Sequence, residues 1–153
     1  MKLRLTKEED ILELSTWFKT NKEIKNWGGP LIRFPYTIEE FKKDIGWNII
    51  TSYSLVKNDK LLGFVQVFDK YGYTHIGRVV IHPNNRTCGL GTKLMIELFK
   101  EYADLNQDYS LYVYKNNRNA KKLYENLGFI VCDSQTNYEN ENNCYLMKKT
   151  IVD

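Results

Sequence analysis

Two periods of apolar and polar residues run along this chain, and the switches between them mark its elements. Lys2 to Leu5 reads as a short strand. Thr6 and Glu9 then make a capping box, and Ile11, Leu12, Leu14, Trp17 and Phe18 follow at helical spacing. The next segment, NWGGPLIRFPY (26–36), is rich in glycine and proline and predicts a loop, yet it carries Trp27, Phe34 and Tyr36. Apolar bulk on a loop either plugs a core or faces a ligand. Thr37 and Glu40 form a second capping box ahead of Phe41, Ile45 and Trp47.

The middle of the chain is strand-like. Tyr53, Leu55 and Val56 precede a turn at Asn58-Asp59, and Leu61 to Phe68 follow it, which predicts a hairpin. YTHIGRVVIHP gives a further strand ending at Pro83. The period then becomes helical from about Gly89 to Tyr102, with Leu90, Leu94, Met95, Leu98, Phe99 and Tyr102 on one stripe. YSLYVY is another strand. Asn117 is placed to cap a short helix that turns Ala120, Leu123, Tyr124 and Leu127 inward and closes at Gly128. Two strands end the pattern, near Phe129 to Val131 and Cys144 to Lys149, around the polar loop NYENENN.

Composition narrows this α/β pattern to one globular domain, residues 1–153, with 42% hydrophobic and 14% aromatic residues. No apolar run approaches membrane-spanning length, and Met1-Lys2-Leu3-Arg4 leads into a charged segment, so a cytoplasmic location without membrane contact is expected. Cys88, Cys132 and Cys144 lack metal-ligand spacing and only two histidines are present, which predicts reduced thiols and no metal site. A formal charge of +3, with 22 basic and 19 acidic side chains interspersed, gives no footing for a nucleic-acid partner.

The chemistry concentrates in IHPNNRTCGLGTKLMIELF, Ile81 to Phe99. Gly89 and Gly91 sit at the mouth of a helix whose first amides have no intrahelical acceptor, a setting suited to phosphate. Arg86, upstream, can meet phosphate oxygens or be a solvated charge. A dinucleotide fingerprint needs a third glycine where Leu94 stands, and a Walker loop needs Gly-Lys-Ser/Thr where Gly91-Thr92-Lys93 stands. A tight strand-to-helix turn without a ligand is the plainer alternative.

Arg86-Thr87-Cys88-Gly89-Leu90-Gly91 matches the Arg/Gln-x-x-Gly-x-Gly/Ala motif of the GNAT superfamily of acetyl-CoA-dependent N-acetyltransferases, and Val79 to Pro83 resembles the strand that carries it. Asn117-x-x-Ala120-x-x-Leu123-Tyr124-x-x-x-Gly128-Phe129 is similar to that family's second signature. The resemblance implies a GNAT (acyl-CoA N-acyltransferase) fold, a mixed central sheet with a splay between the fourth and fifth strands, flanked by helices. Acetyl-CoA would lie in the splay, its pantetheine arm along Val79, Val80 and Ile81 and beside Asn117. Its pyrophosphate would rest on Arg86, Thr87, Cys88, Gly89, Leu90, Gly91 and Thr92. Gly77 suits the family's strand bulge.

By the same resemblance the Val79 amide faces the thioester carbonyl and Tyr124 protonates the departing sulfur. From spacing alone Tyr124 is a core residue. No acid lies between Asp69 and Glu97, so the family's glutamate base has no direct heir. His75 is the expected base, with packing on a sheet face as its bland alternative, and Tyr73 or a water chain can take its place. Trp27, Phe34 and Tyr73 are the expected acceptor contacts. The function implied is acetyl transfer from acetyl-CoA to a primary amine on a small molecule, amino-acid derivative or peptide, in a ternary complex. A homodimer is allowed. The alternatives are a non-catalytic acyl-CoA-binding regulator and, with less support from the charge pattern, an interaction domain.

Overall fold

The hairpin that organises the sheet forms where Asn58 and Asp59 both take left-handed backbone, φ 51° and 62°, as a two-residue hairpin turn requires. In the computed structural model, which describes residues 1–132 and 143–151, it joins β2 (Thr51–Lys57) to β3 (Lys60–Lys70). Around it lie β1 (Lys2–Leu5), β4 (Tyr73–Ile81), β5 (Tyr109–Tyr114), β6 (Ile130–Cys132) and β7 (Cys144–Lys149). Among the described residues these make one seven-stranded sheet in the order β1-β2-β3-β4-β5-β7-β6. Only the β4–β5 pair is parallel. This is the expected mixed sheet, with its parallel pair between the fourth and fifth strands.

Side chains alternate across a strand, so the sheet carries a core on each face. On one face Val65, Val67, Ile76, Leu111 and Val113 pack under Leu94, Met95 and Leu98 of α4 (Leu90–Glu101) and Tyr124 of α5 (Arg118–Asn126). On the other, Phe64 and Val80 pack under three helices. These are α1 (Glu8–Leu14) with Ile11 and Leu14, α2 (Asn21–Gly28) with Ile24, and α3 (Ile38–Asp44) with Phe41. Truncating a fully buried member such as Leu94 to alanine costs about 2–5 kcal/mol. No helix among the described residues is long and apolar enough to cross a membrane.

The Thr37–Glu40 capping box forms as expected. The first one does not. The Asp10 carboxylate accepts the Lys7 amide at 2.8 Å and the Arg4 guanidinium at 2.6 Å, and this starts α1 one residue later than Thr6 and Glu9 predict. The Thr6 hydroxyl pairs with Ser54 instead, at 2.9 Å. α1 also stops at Leu14, and Trp17 and Phe18 are buried from the turns beyond it. Asn26, Trp27 and Gly28, expected in a loop, are the last turn of α2. Asn117 caps α5 as expected, accepting the Ala120 amide at 3.2 Å. Of the polar loop NYENENN, only Asn143 lies within the described residues.

The strand bulge forms one residue further on than Gly77. Gln66 pairs with Gly77 and Phe64 with Val80, so β4 carries one residue more than β3 in between. The residue that absorbs it is Arg78, at φ 51°. A side chain in that left-handed region costs roughly 1–2 kcal/mol, which the surroundings of Arg78 must offset.

Candidate active site

The parallel ladder between β4 and β5 runs from Thr74–Tyr109 through His75–Ser110 to Ile76–Leu111 and stops there. β4 continues to Ile81 and β5 to Tyr114, so the strands part and leave facing backbone edges outside the ladder. A cleft of about 340 Å³ passes through this opening. On the α5 side it is lined by Asn117, Ala120 and Tyr124; on the α2 side by Trp27, Gly28, Gln66 and Arg78; and His75, Gly77 and Val79 lie between. Val79 sits in the bulge, where its amide is left out of the regular β3–β4 register.

The glycine loop stands at the far end of β4. Thr87 and Gly89 both take left-handed backbone, φ 65° and 78°, before α4 begins at Leu90. Such turns aim successive amides to one side, and the first helical amides and the helix dipole add to them. A β-carbon on Gly89 would have no heavy atom within 4 Å, so the space over the loop is open. One on Gly91 would stand 2.9 Å from Leu123 Cδ1; Gly91 lets α5 pack close. Arg86 is exposed and donates Nε to the Ile81 carbonyl at 3.2 Å, which ties the loop to the strand end. Cys88 is exposed and Thr92 half-buried in the first turn. Val80 points away from this face, into the core beneath α1 to α3.

Tyr124 is 9% exposed, packs edge-on to Phe129 at 5.9 Å, and lines the cleft. Its hydroxyl has no hydrogen-bond partner among the described residues, and burial pushes its pKa up to about 12. His75 lies across the opening, buried between Phe68 and Tyr112, with Nδ1 2.8 Å from Ser110 Oγ. Burial, and secondarily the nearby Lys70, push its pKa down to about 4. The imidazole is therefore neutral at pH 7.

The sequence profile of the acetyltransferase (GNAT) family matches residues 13–129, most of the chain. The chain belongs to that family. It is also similar to UPF0039 protein C11D3.02c of Schizosaccharomyces pombe, at 30% identity over 76 residues, and the match covers 49% of this chain and 51% of that one. The chain thus matches about half the length of this curated relative. Solved GNAT structures share the fold. PaiA N-acetyltransferase of Thermoplasma acidophilum, in complex with coenzyme A, superposes with a TM-score of 0.71 at 20% identity, over 99% of this chain and 100% of its own. The ribosomal-protein-S18-alanine N-acetyltransferase of Escherichia coli gives 0.67 at 18%, over 99% and 96%. The aminoglycoside acetyltransferase AAC(6')-Ib, with coenzyme A, gives 0.74 at 20%, over 97% and 94%.

The aromatic residues named from sequence as acceptor contacts of this GNAT domain separate in the structure. Trp27 lines the cleft, stacked on Phe18 at 4.6 Å, with its indole N–H donating to the Arg78 carbonyl at 2.8 Å. Phe34 packs on Tyr36, away from the cleft lining. Tyr73 stands at the start of β4 under the Lys148 ammonium, again outside the lining. Gln66, Phe68, Arg78 and Tyr112 take their places. Nothing local in the sequence singles these out. They converge through cross-strand register, Phe68 opposite His75 and His75 opposite Ser110.

Proposed function

We propose that the protein is an acetyl-CoA-dependent N-acetyltransferase that transfers the acetyl group to a primary amine by direct attack in a ternary complex. The observation that carries this reading is the cleft through the splayed sheet, which has Asn117 and Tyr124 on its α5 side, Trp27 and Arg78 on its α2 side, and His75 and Val79 between them. A thioester held from the α5 side and an amine entering from the α2 side would meet within it.

The residues fit coenzyme A. The open space above Gly89 and the amides from Thr87 to Thr92 suit a pyrophosphate. The stretches of β4 and β5 beyond their ladder and the capping Asn117 suit an amide-bearing arm. Acetyl-CoA supplies an acetyl group activated as its thioester. The chain's part is to hold the acceptor nitrogen near the acetyl carbon, to donate the Val79 N–H to the carbonyl oxygen as charge develops, and to donate the Tyr124 hydroxyl to the departing sulfur. With its pKa raised, that phenol stays protonated at neutral pH and is a donor, not a base.

A His75 held near pH 4 is a weak base. We assign it the role of hydrogen-bond acceptor that orients water or amine in the cleft, with the amine proton passing to water. Free-thiol release from acetyl-CoA, measured against a panel of small amines, amino-acid derivatives and peptides, tests the reading. Amine-dependent release supports it. Tight coenzyme A binding without release from any amine would leave the regulator reading in its place.

A further inference from the structure

The geometry points to Arg78 as a positioning residue that locks the acceptor wall to the Val79 amide, an inference that rests on the transferase reading above. Arg78 is the left-handed residue of the bulge, at φ 51°, and directly precedes Val79. Glycine would take that backbone without strain. An arginine there must bring compensation, and its side chain shows what it is.

The guanidinium reaches the ends of two helices on its own side of the cleft. Nε donates to the Gly28 carbonyl at 3.1 Å, the last residue of α2. One terminal nitrogen donates to the Ile45 carbonyl at 3.0 Å, just past α3, and to Gln66 Oε1 at 2.9 Å on the neighbouring strand. Gln66 is 2% exposed and is itself fixed, its amide donating to the same Ile45 carbonyl at 2.8 Å and to Ser52 Oγ at 3.2 Å. From the same last turn of α2 the Trp27 indole donates to the Arg78 carbonyl. Backbone and side chain of one residue are thus held by α2, by the end of α3 and by β3.

Helix C-terminal carbonyls carry partial negative charge and are natural partners for a cation. A planar fork satisfies them at fixed angles, which a lysine cannot do. The peptide unit joining Arg78 to Val79 contains both the carbonyl that Trp27 holds and the Val79 amide, which the bulge leaves outside the β3–β4 register. A shift of α2 therefore rotates the same peptide plane whose N–H would meet the thioester oxygen. An acceptor seated against Trp27 and Gly28 would set the electrophile's donor as well as its own position.

Arg78→Gly keeps the left-handed backbone and removes the fork, and Arg78→Lys keeps the charge. Trp27→Phe keeps the ring and removes the indole donor, and serves if Arg78→Gly does not fold. Each variant is read by amide NMR with acetyl-CoA titration, by melting temperature, and by steady-state kinetics with an amine the wild type acetylates. In Arg78→Gly the Val79 amide and Trp27 indole resonances move together. kcat falls on the order of 10²-fold, the scale of an ångström-level misplacement, while acetyl-CoA affinity holds, because the glycine loop is untouched. Arg78→Lys recovers only part of the loss. A Val79 resonance left in place, or a kcat equal to wild type, overturns the assignment even if the melting temperature drops. Should the wild type acetylate no amine, the transferase reading falls, and the NMR readout alone decides for or against the lock.

Discussion

Tyr124→Phe sets packing against chemistry at one atom. The change deletes a hydroxyl and keeps the ring that packs on Phe129 and beneath the sheet. That hydroxyl has no partner among the described residues, so no protein hydrogen bond is lost with it. The melting temperature should stay within about 2 °C of wild type, well short of the roughly 1 kcal/mol that losing an ordinary hydrogen bond costs. The phenol is protonated throughout the neutral range, because burial holds its pKa near 12. On the proposed mechanism it is the donor to the departing thiolate. Loss of such a donor typically lowers turnover by about 10²-fold, which corresponds to roughly 2.7 kcal/mol of barrier. The dissociation constant of acetyl-CoA, measured by calorimetry, should change little, since the hydroxyl acts as the C–S bond breaks. Turnover followed by free-thiol release, affinity and melting temperature are measured on this single variant. An enzyme as active as wild type would refute the catalytic role and return Tyr124 to the core.

The remaining predictions concern the loop, the histidine and the buried ion pair. Gly89→Val places a branched side chain at φ 78° over the space assigned to pyrophosphate, so coenzyme A affinity should fall by about 10-fold or more in calorimetry, with a stability cost of roughly 1–2 kcal/mol from the backbone; unchanged affinity would make the loop a plain turn. His75→Gln should leave the shape of the rate profile between pH 6 and 8 unaltered, because a group near pH 4 does not titrate there; removal of a limb near pH 6.5 would show His75 to be the base after all. The same histidine binds a proton more readily unfolded than folded, so between about pH 6.5 and 4 wild-type stability should fall with falling pH, by at most about 1.4 kcal/mol per unit from this group, and denaturant unfolding of His75→Gln should show a shallower fall. Asp10→Ala strips the carboxylate from Arg4, the Lys7 amide and Ser54 and should cost about 3 kcal/mol at pH 7. Desolvation opposes the Asp10 charge, but the hydrogen bonds from Arg4, Lys7 and Ser54 outweigh it and hold its pKa below the usual carboxylate value. That part of the stability is present above about pH 4 and lost as pH falls through the lowered pKa, so the acid limb of wild-type unfolding should flatten in the variant.

The elements are legible in the sequence wherever a local rule and the tertiary fold agree. Asn58-Asp59 makes its turn and Asn117 makes its cap because each needs only atoms a few residues away. Three Thr-x-x-Glu signatures among the described residues show where such rules end. Thr37 and Glu40 cap as written, and Thr20 with Glu23 caps α2, a helix the glycine- and proline-rich stretch after it obscures. Thr6 and Glu9 carry the same signature and lose, because Arg4 on the neighbouring strand draws Asp10 into the capping position. The half of the cleft proposed for the cofactor is local in the same sense, a glycine loop and a capped helix, and both form where the sequence predicts them. The acceptor half is not. Gly77 is the obvious bulge residue by conformational freedom, yet Arg78 takes the left-handed backbone, because its fork finds Gly28, Ile45 and Gln66 and no glycine could make those bonds. His75 sits on the strand that periodicity assigns, but burial between Phe68 and Tyr112, and secondarily the nearby Lys70, decide how strongly it holds a proton. On the proposed reading, substrate choice would reside in this non-local half of the cleft, where one-residue changes in register or in the bulge re-aim side chains. The glycine loop and the Asn117-capped helix, which the sequence motifs mark, lie outside that half.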